Sequence, residues 1–177
     1  MRNIILIGFM GCGKTSIGIR LSYRLRRTLV DTDKMIERQQ QMSISEIFSR
    51  LGEEEFRQME TRCLEQLTKE TAAQIISVGG GLPVREENRR LLKQLGTVVY
   101  LRVTPETVCK RLAGDTTRPL LQGEDPEGKV RSLMAERKAC YEAAADVILD
   151  TDDMDFDAVL EAIIRQTGEC CSAQEWE

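Results

Sequence analysis

Ile4-Ile5-Leu6-Ile7-Gly8-Phe9-Met10-Gly11-Cys12-Gly13-Lys14-Thr15 is the stretch from which the fold is read. Its first four residues are branched and apolar, the composition of a buried strand. They run directly into Gly8 to Thr15, which fits G-x-x-x-x-G-K-[ST] at every fixed position. Ile17, Leu21 and Leu25 then recur every four residues, which predicts a helix opening near Lys14. Strand, glycine loop and helix form the setting in which this motif holds phosphate. The glycines let the backbone turn so that successive N–H groups point inward, and the helix N-terminus adds partial positive charge. Lys14 would reach the outer phosphates and the Thr15 hydroxyl would ligate Mg2+. The chain is therefore expected to bind a nucleoside triphosphate.

Outward from this stretch, short apolar runs alternate with longer helical patterns, the signature of an α/β domain with a parallel sheet. Four further strands are predicted, at Thr28 to Asp31, Ile75 to Val78, Val98 to Val103 and Asp146 to Leu149. Ser43-Ile44-Ser45-Glu46 is a capping-box pattern ahead of a short helix. Phe56, Met59, Cys63 and Leu67 stripe a helix expected from about Glu53 to Thr71. Thr104-Pro105 and Asp125-Pro126 each pair a cap with a proline in the first turn. A last helix is predicted from Asp155 to Gln166. Gly114 to Glu124, between two helices, lacks periodicity, and a loop of that length in a compact domain is usually functional.

The 177 residues suffice for one domain and carry no histidine. Ser-His-Asp and Cys-His catalysis and every histidine-containing metal site are thereby excluded. Six cysteines include no Cys-x-x-Cys pair, so they read as reduced packing residues. A net charge of −4 without a basic block argues against nucleic acid. The four-residue apolar run before Gly8 is too short for a secretory signal, and no run approaches a membrane span, which points to the cytoplasm. No apolar stripe demands a partner, so a monomer is expected.

The acceptor of the phosphoryl group must be sought at the other strand ends, because ligands of open α/β sheets collect there. The second strand ends in Asp31-Thr32-Asp33, and along an extended chain both acids would lie on one face. The alternative is a polar strand end that caps the following helix. The third ends in Gly79-Gly80-Gly81, which admits a ligand close to the backbone or makes a tight turn. Arg57, with Glu60 three residues on to orient it, Arg118 in the long loop and Arg137 are candidate anion-binding groups.

Taken together, Gly8–Thr15, Asp31-Thr32-Asp33, Phe56-Arg57, Gly79-Gly80-Gly81 and Arg118-Pro119-Leu120-Leu121, in this order, resemble the shikimate kinase family. The resemblance implies a three-layer P-loop NTPase fold of the nucleoside-monophosphate-kinase type. Its sheet would have five parallel strands in the order 2-3-1-4-5, with flanking helices and a mobile lid. One kinase domain would span 1–167, with the lid at about 112–125 and acceptor-binding helices at about 33–62. A polar tail, 168–177, is expected to be disordered. By the same resemblance ATP contacts Gly11, Cys12, Gly13, Lys14, Thr15 and Ser16, with Arg111 flanking the adenine and Arg118 reaching the phosphates. Shikimate would be held by Asp33, Arg57, Gly79, Gly80, Gly81 and Arg137, and catalysis would rest on Lys14, Asp33 and Arg118. Mg2+ would be bound directly by Thr15, with Asp31 in its outer shell. The family usually has proline at the position of Ala139.

An ordinary aspartate, with a pKa near 3.9, is a weak base at pH 7. Asp33 is therefore expected chiefly to orient the hydroxyl and to take its proton late. A gluconate-type kinase on the same scaffold also has a carboxylate acceptor, and a nucleotide-dependent switch would need the cradle alone.

Overall fold

The computed structural model describes residues 2–113 and 125–169. Strands β1 (Asn3–Ile7), β2 (Leu29–Asp31), β3 (Ile75–Ser77), β4 (Gly96–Arg102) and β5 (Val147–Asp150) form one sheet in the order β2-β3-β1-β4-β5. Every pairing is parallel. The chain is thus an α/β protein with the strand order that the family resemblance implied. Ile4 to Ile7 are each no more than 1% exposed, so both faces of the central strand are covered, and this is why β1 reads as an unbroken apolar run. At the sheet edge the rule relaxes: Ile148 of β5 is 40% exposed.

Seven helices flank the sheet among the described residues: α1 (Lys14–Leu25), α2 (Thr32–Gln40), α3 (Ile44–Leu67), α4 (Glu86–Leu95), α5 (Pro105–Leu112), α6 (Pro126–Ala144) and α7 (Phe156–Thr167). Helix α1 packs against α7, whereas α3, α4 and α6 pack in succession. The expected caps are formed. Ser43 and Glu46 complete a reciprocal capping box, and Thr104 and Asp125 accept from the N–H groups of Thr107 and Gly128. Asp155, expected as the first residue of the last helix, is instead its cap and accepts from the Ala158 N–H. Each such cap contributes about 1 kcal/mol. Ala139 lies inside α6, where it favours the helix that a proline would interrupt.

Two helices have no counterpart in the pattern reading. Helix α2 begins directly at the strand end, with Asp31 as its cap, and buries only Thr32 and Ile36, too few for a periodic stripe. Helix α4 buries Asn88, Leu92 and Leu95 on a narrow face of a strongly charged segment. The helix expected from Glu53 instead joins the short one after Ser43 across a kink at Gly52, and it ends at Leu67. The segment 114–124, with Arg118, and the residues from 170 on, with Cys170, Cys171 and Trp176, lie outside the described residues. No helix among the described residues is long and apolar enough to cross a membrane.

Gly52 adopts φ 85° and ψ 167°, a conformation open to little but glycine, although a Cβ there would meet no atom within 4 Å. Backbone strain alone should therefore make Gly52→Ala destabilising by about 1–3 kcal/mol. The urea midpoint, compared with wild type, measures it.

Candidate active site

Parallel pairing sets the loops that follow β1, β2 and β3 side by side, since Leu6 pairs with Ser77 and Asp31 pairs with Ser77 from the other side. The loop after β1 turns on Gly8, Gly11 and Gly13, with φ of 146°, 76° and 99°. A Cβ at Gly8 would also stand 2.7 Å from the Leu101 carbonyl oxygen and 2.8 Å from Cys12 Sγ. Glycine is thus required there twice over. The Lys14 ammonium donates to the carbonyls of Gly8 at 2.8 Å and Phe9 at 3.0 Å, which holds its charge at the mouth of the loop.

A cavity of about 720 Å³ opens over these strand ends. Gly11, Cys12, Gly13, Lys14, Thr15, Ser16, Asp31, Asp33, Gly79, Gly80 and Arg111 all line it. Arg111 also donates to the Gly11 carbonyl at 3.2 Å. The far wall is made by Thr151, Met154, Asp155, Phe156 and Val159, none of which the sequence reading assigned. The family resemblance implies adenine contacts near 150–155, but the unusually acidic segment singles out no residue.

Asp31 and Asp33 do not alternate on an extended chain. Asp31 caps α2 by accepting from the Lys34 N–H, and Asp33 stands in the first helical turn. Both still face the cavity, because the helix starts at the strand end. Asp33 Oδ1 is buried without a hydrogen-bond partner among the described residues. Burial pushes this carboxyl up from 3.8 to about 6, with Asp31 adding to the rise and Lys14 opposing it. Asp33 is therefore a stronger base than the exposed aspartate that its sequence context suggested. The Thr15 hydroxyl and the Asp31 carboxylate are the hard oxygen donors that Mg2+ prefers. Among the described residues no group of three His, Cys, Asp or Glu side chains is placed to hold a metal ion, so phosphate oxygens and water would complete the coordination.

Beyond Gly80 the chemistry changes from phosphate-binding to guanidinium. Arg57 Nη1 donates to Glu60 Oε2 at 2.7 Å and Nη2 donates to Glu53 Oε1 at 2.9 Å. Glu60 is fully buried, with its other oxygen, Oε1, unpartnered among the described residues. Burial pushes Glu60 up to about 7 against the pull of Arg57. The glycine turn is packed around these groups. A Cβ at Gly79 would lie 2.6 Å from Asp33 Oδ1, and one at Gly81 would collide with both terminal nitrogens of Arg57. At Gly80 the nearest atom would be 3.5 Å away, the Gly8 carbonyl oxygen. Arg137, one turn before Tyr141 on α6, approaches the Gly80 carbonyl with Nη1 at 3.5 Å. Its guanidinium sits 6.0 Å above the Phe9 ring. Arg57, Gly81 and Arg137 thus gather around the glycine turn, outside the wall of the large cavity.

The shikimate kinase family model matches residues 10–167. The chain belongs to the shikimate kinase family. A shikimate kinase from Thermodesulfovibrio yellowstonii is 42% identical over 166 residues, covering 94% of this chain and 95% of its own. The structure of shikimate kinase from Acinetobacter baumannii in complex with shikimate superposes with a TM-score of 0.88 at 38% identity, covering 94% of this chain and 92% of that one. A gluconokinase from Sinorhizobium meliloti, at 13% identity and a TM-score of 0.56, shares the fold alone. Membership of the family makes this chain an ATP-dependent small-molecule kinase.

Asp33 places a carboxylate where its charge is disfavoured, so its effect on stability depends on pH. Because the folded-state value of about 6 lies above the ordinary 3.8, stability present below pH 3.8 is lost as pH rises through about 6. Asp33→Asn should therefore be more stable than wild type at pH 8, by on the order of 2 kcal/mol. The difference should vanish near pH 4. Urea denaturation at the two pH values measures it.

Proposed function

We infer that this chain transfers the γ-phosphoryl group of ATP to the 3-hydroxyl of shikimate, giving shikimate 3-phosphate and ADP. The observation that carries the reading is the junction at Gly79-Gly80-Gly81. There a phosphate cradle, a carboxylate with raised affinity for a proton and two arginines meet within one turn of chain. We assign the reaction to a single kinase domain spanning about 1–167, acting in the cytoplasm as a monomer and without nucleic acid.

In this reading the triphosphate lies on the backbone N–H groups of Gly11 to Ser16, at the N-terminus of α1. Lys14 exchanges its carbonyl contacts for phosphate oxygens. Bound Mg2+, held by the Thr15 hydroxyl and through water by Asp31, would neutralise charge on the β- and γ-phosphates. The transition state of phosphoryl transfer is loose, so placement of the two substrates counts for more than early deprotonation. Asp33 hydrogen-bonds the acceptor hydroxyl and takes its proton as the bond to phosphorus forms. Its half-buried position suits both tasks. A carboxylate ionised above about pH 6 is available at neutral pH and holds a proton better than an exposed one. Arg118 would add charge from the lid, and Arg111 would flank the adenine.

Two guanidinium groups match a planar carboxylate on the acceptor. They are not equivalent. Arg57 is committed to Glu53 and Glu60, which aim its remaining N–H groups and cancel much of its charge. Arg137 makes no ion pair among the described residues and acts on Glu60 only through its field, so it keeps a charge to offer the ligand. Gly79 and Gly81 let the side chains of Asp33 and Arg57 lie directly against the turn, where a Cβ would displace them.

Shikimate should stimulate ADP release from MgATP by several orders of magnitude, while gluconate and nucleoside monophosphates should not. Release with gluconate alone would overturn the acceptor assignment. Gly81→Ala, which pushes on Arg57, is expected to raise the KM for shikimate about tenfold or more. Gly80→Ala, with ordinary contact distances, should change it less than threefold. Steady-state kinetics in shikimate separates the two.

A further inference from the structure

Tyr141 has no place in the reading above, yet it is buried, 1% exposed, and its hydroxyl donates to the Gly80 carbonyl at 2.5 Å. The Arg137 guanidinium approaches that same carbonyl oxygen at 3.5 Å, a long contact, and also lies beside the tyrosine oxygen, where it opposes the rise in pKa that burial causes. Two donors therefore compete for one acceptor, and the neutral one holds the short bond. Tyr141 is fixed for this purpose. Its ring centroid stacks 5.1 Å from that of Tyr100 on β4, and α6 presents it on the same face as Arg137, four residues away.

We propose that the Tyr141 hydroxyl is a positioning group for the acceptor's carboxylate. By satisfying the Gly80 carbonyl, it keeps the Arg137 guanidinium from settling there and leaves it directed at the ligand. Without the hydroxyl, a half-buried carbonyl beside a mobile cation would draw that cation in, because an unpaired buried acceptor is costly and a charged donor satisfies it best. Gly80 also faces the nucleotide loop, with the Gly8 carbonyl oxygen and the Met10 nitrogen 3.5 and 3.6 Å from where its Cβ would stand. The Tyr141 hydroxyl stands 3.8 Å from that same point, so it holds the glycine turn from the side that faces the nucleotide loop. The proposal rests on the assignment of Arg137 to the acceptor's carboxylate.

Tyr141→Phe is tested with shikimate and with an analogue whose carboxylate is replaced by a hydroxymethyl group. The KM for shikimate should rise about tenfold, as for a weakened charge-assisted contact. That for the analogue should stay within twofold, as should kcat and the KM for MgATP. An equal rise for both acceptors, or a rise for MgATP, marks a general structural role and overturns the proposal. Arg137→Ala, run alongside, should abolish the preference for shikimate over the analogue. If it does and Tyr141→Phe leaves the preference intact, only the role of the tyrosine falls. If Arg137→Ala keeps the preference, the carboxylate assignment falls and the proposal with it. Affinity for MgADP within twofold of wild type checks the fold of each variant. Should Phe at position 141 prevent folding, 3-fluorotyrosine placed there strengthens the donor and keeps the ring contacts. It should lower the KM for shikimate, and a rise would overturn the proposal.

Discussion

The lateral pairing of β1 with β3 is the constraint on which everything else in this molecule depends. Parallel strands in register end at the same level, and Leu6 opposite Ser77 brings the phosphate loop and the glycine turn into contact although some seventy residues separate them. The contact is close because it is made by backbone alone: Gly80 stands against Gly8 and Met10 with no side chain between them. Neither loop has a regular conformation of its own to impose. The glycines within them lose more conformational freedom on folding than other residues would. A buried sheet with both faces of β1 covered supplies the rigidity that they lack.

Around that junction the electrostatics are arranged at some expense to stability. Asp33 and Glu60 each bury an oxygen with no partner among the described residues, and burial raises the proton affinity of both. Such groups persist where they serve a ligand, since a site optimised for the free protein would have satisfied or removed them. Arg57, Arg137 and Lys14 offset part of the burden, each in a different manner. Arg57 is clamped by two glutamates, Arg137 rests over an aromatic ring, and Lys14 leans on carbonyl oxygens. The clamped guanidinium supplies direction and the unclamped cations supply charge. Both are needed in a site that must hold one anion and transfer another.

Much of this was legible in the chain. The motif at Gly8 to Thr15 specified strand, loop and helix together, and the five strands lie within two residues of the expected bounds. The caps at Ser43, Thr104 and Asp125 formed as their spacing required. Periodicity revealed neither α2, which only the alternative reading of Asp31-Thr32-Asp33 and the family resemblance suggested, nor α4, because their buried faces hold only two or three residues among charges. The pairing of Arg57 with Glu60 was readable from a separation of three on one helix, whereas Tyr141 facing Gly80 was not. Those two residues lie sixty-one positions apart, and neither carries a pattern that names the other.

Local rules therefore account for what is written in contiguous residues: the phosphate cradle, the parallel α/β class, the caps and the family. They act over a turn of helix or a few residues of strand, a range over which spacing maps onto geometry. Proton affinities and alignments belong to another scale. Asp33 acquired its raised pKa only when the sheet, α2 and α3 closed around it, because desolvation depends on neighbours brought from elsewhere in the chain. Arg137 likewise gained its place only when α6 packed against the glycine turn. No residue type carries its own dielectric surroundings, and those are assembled by the fold.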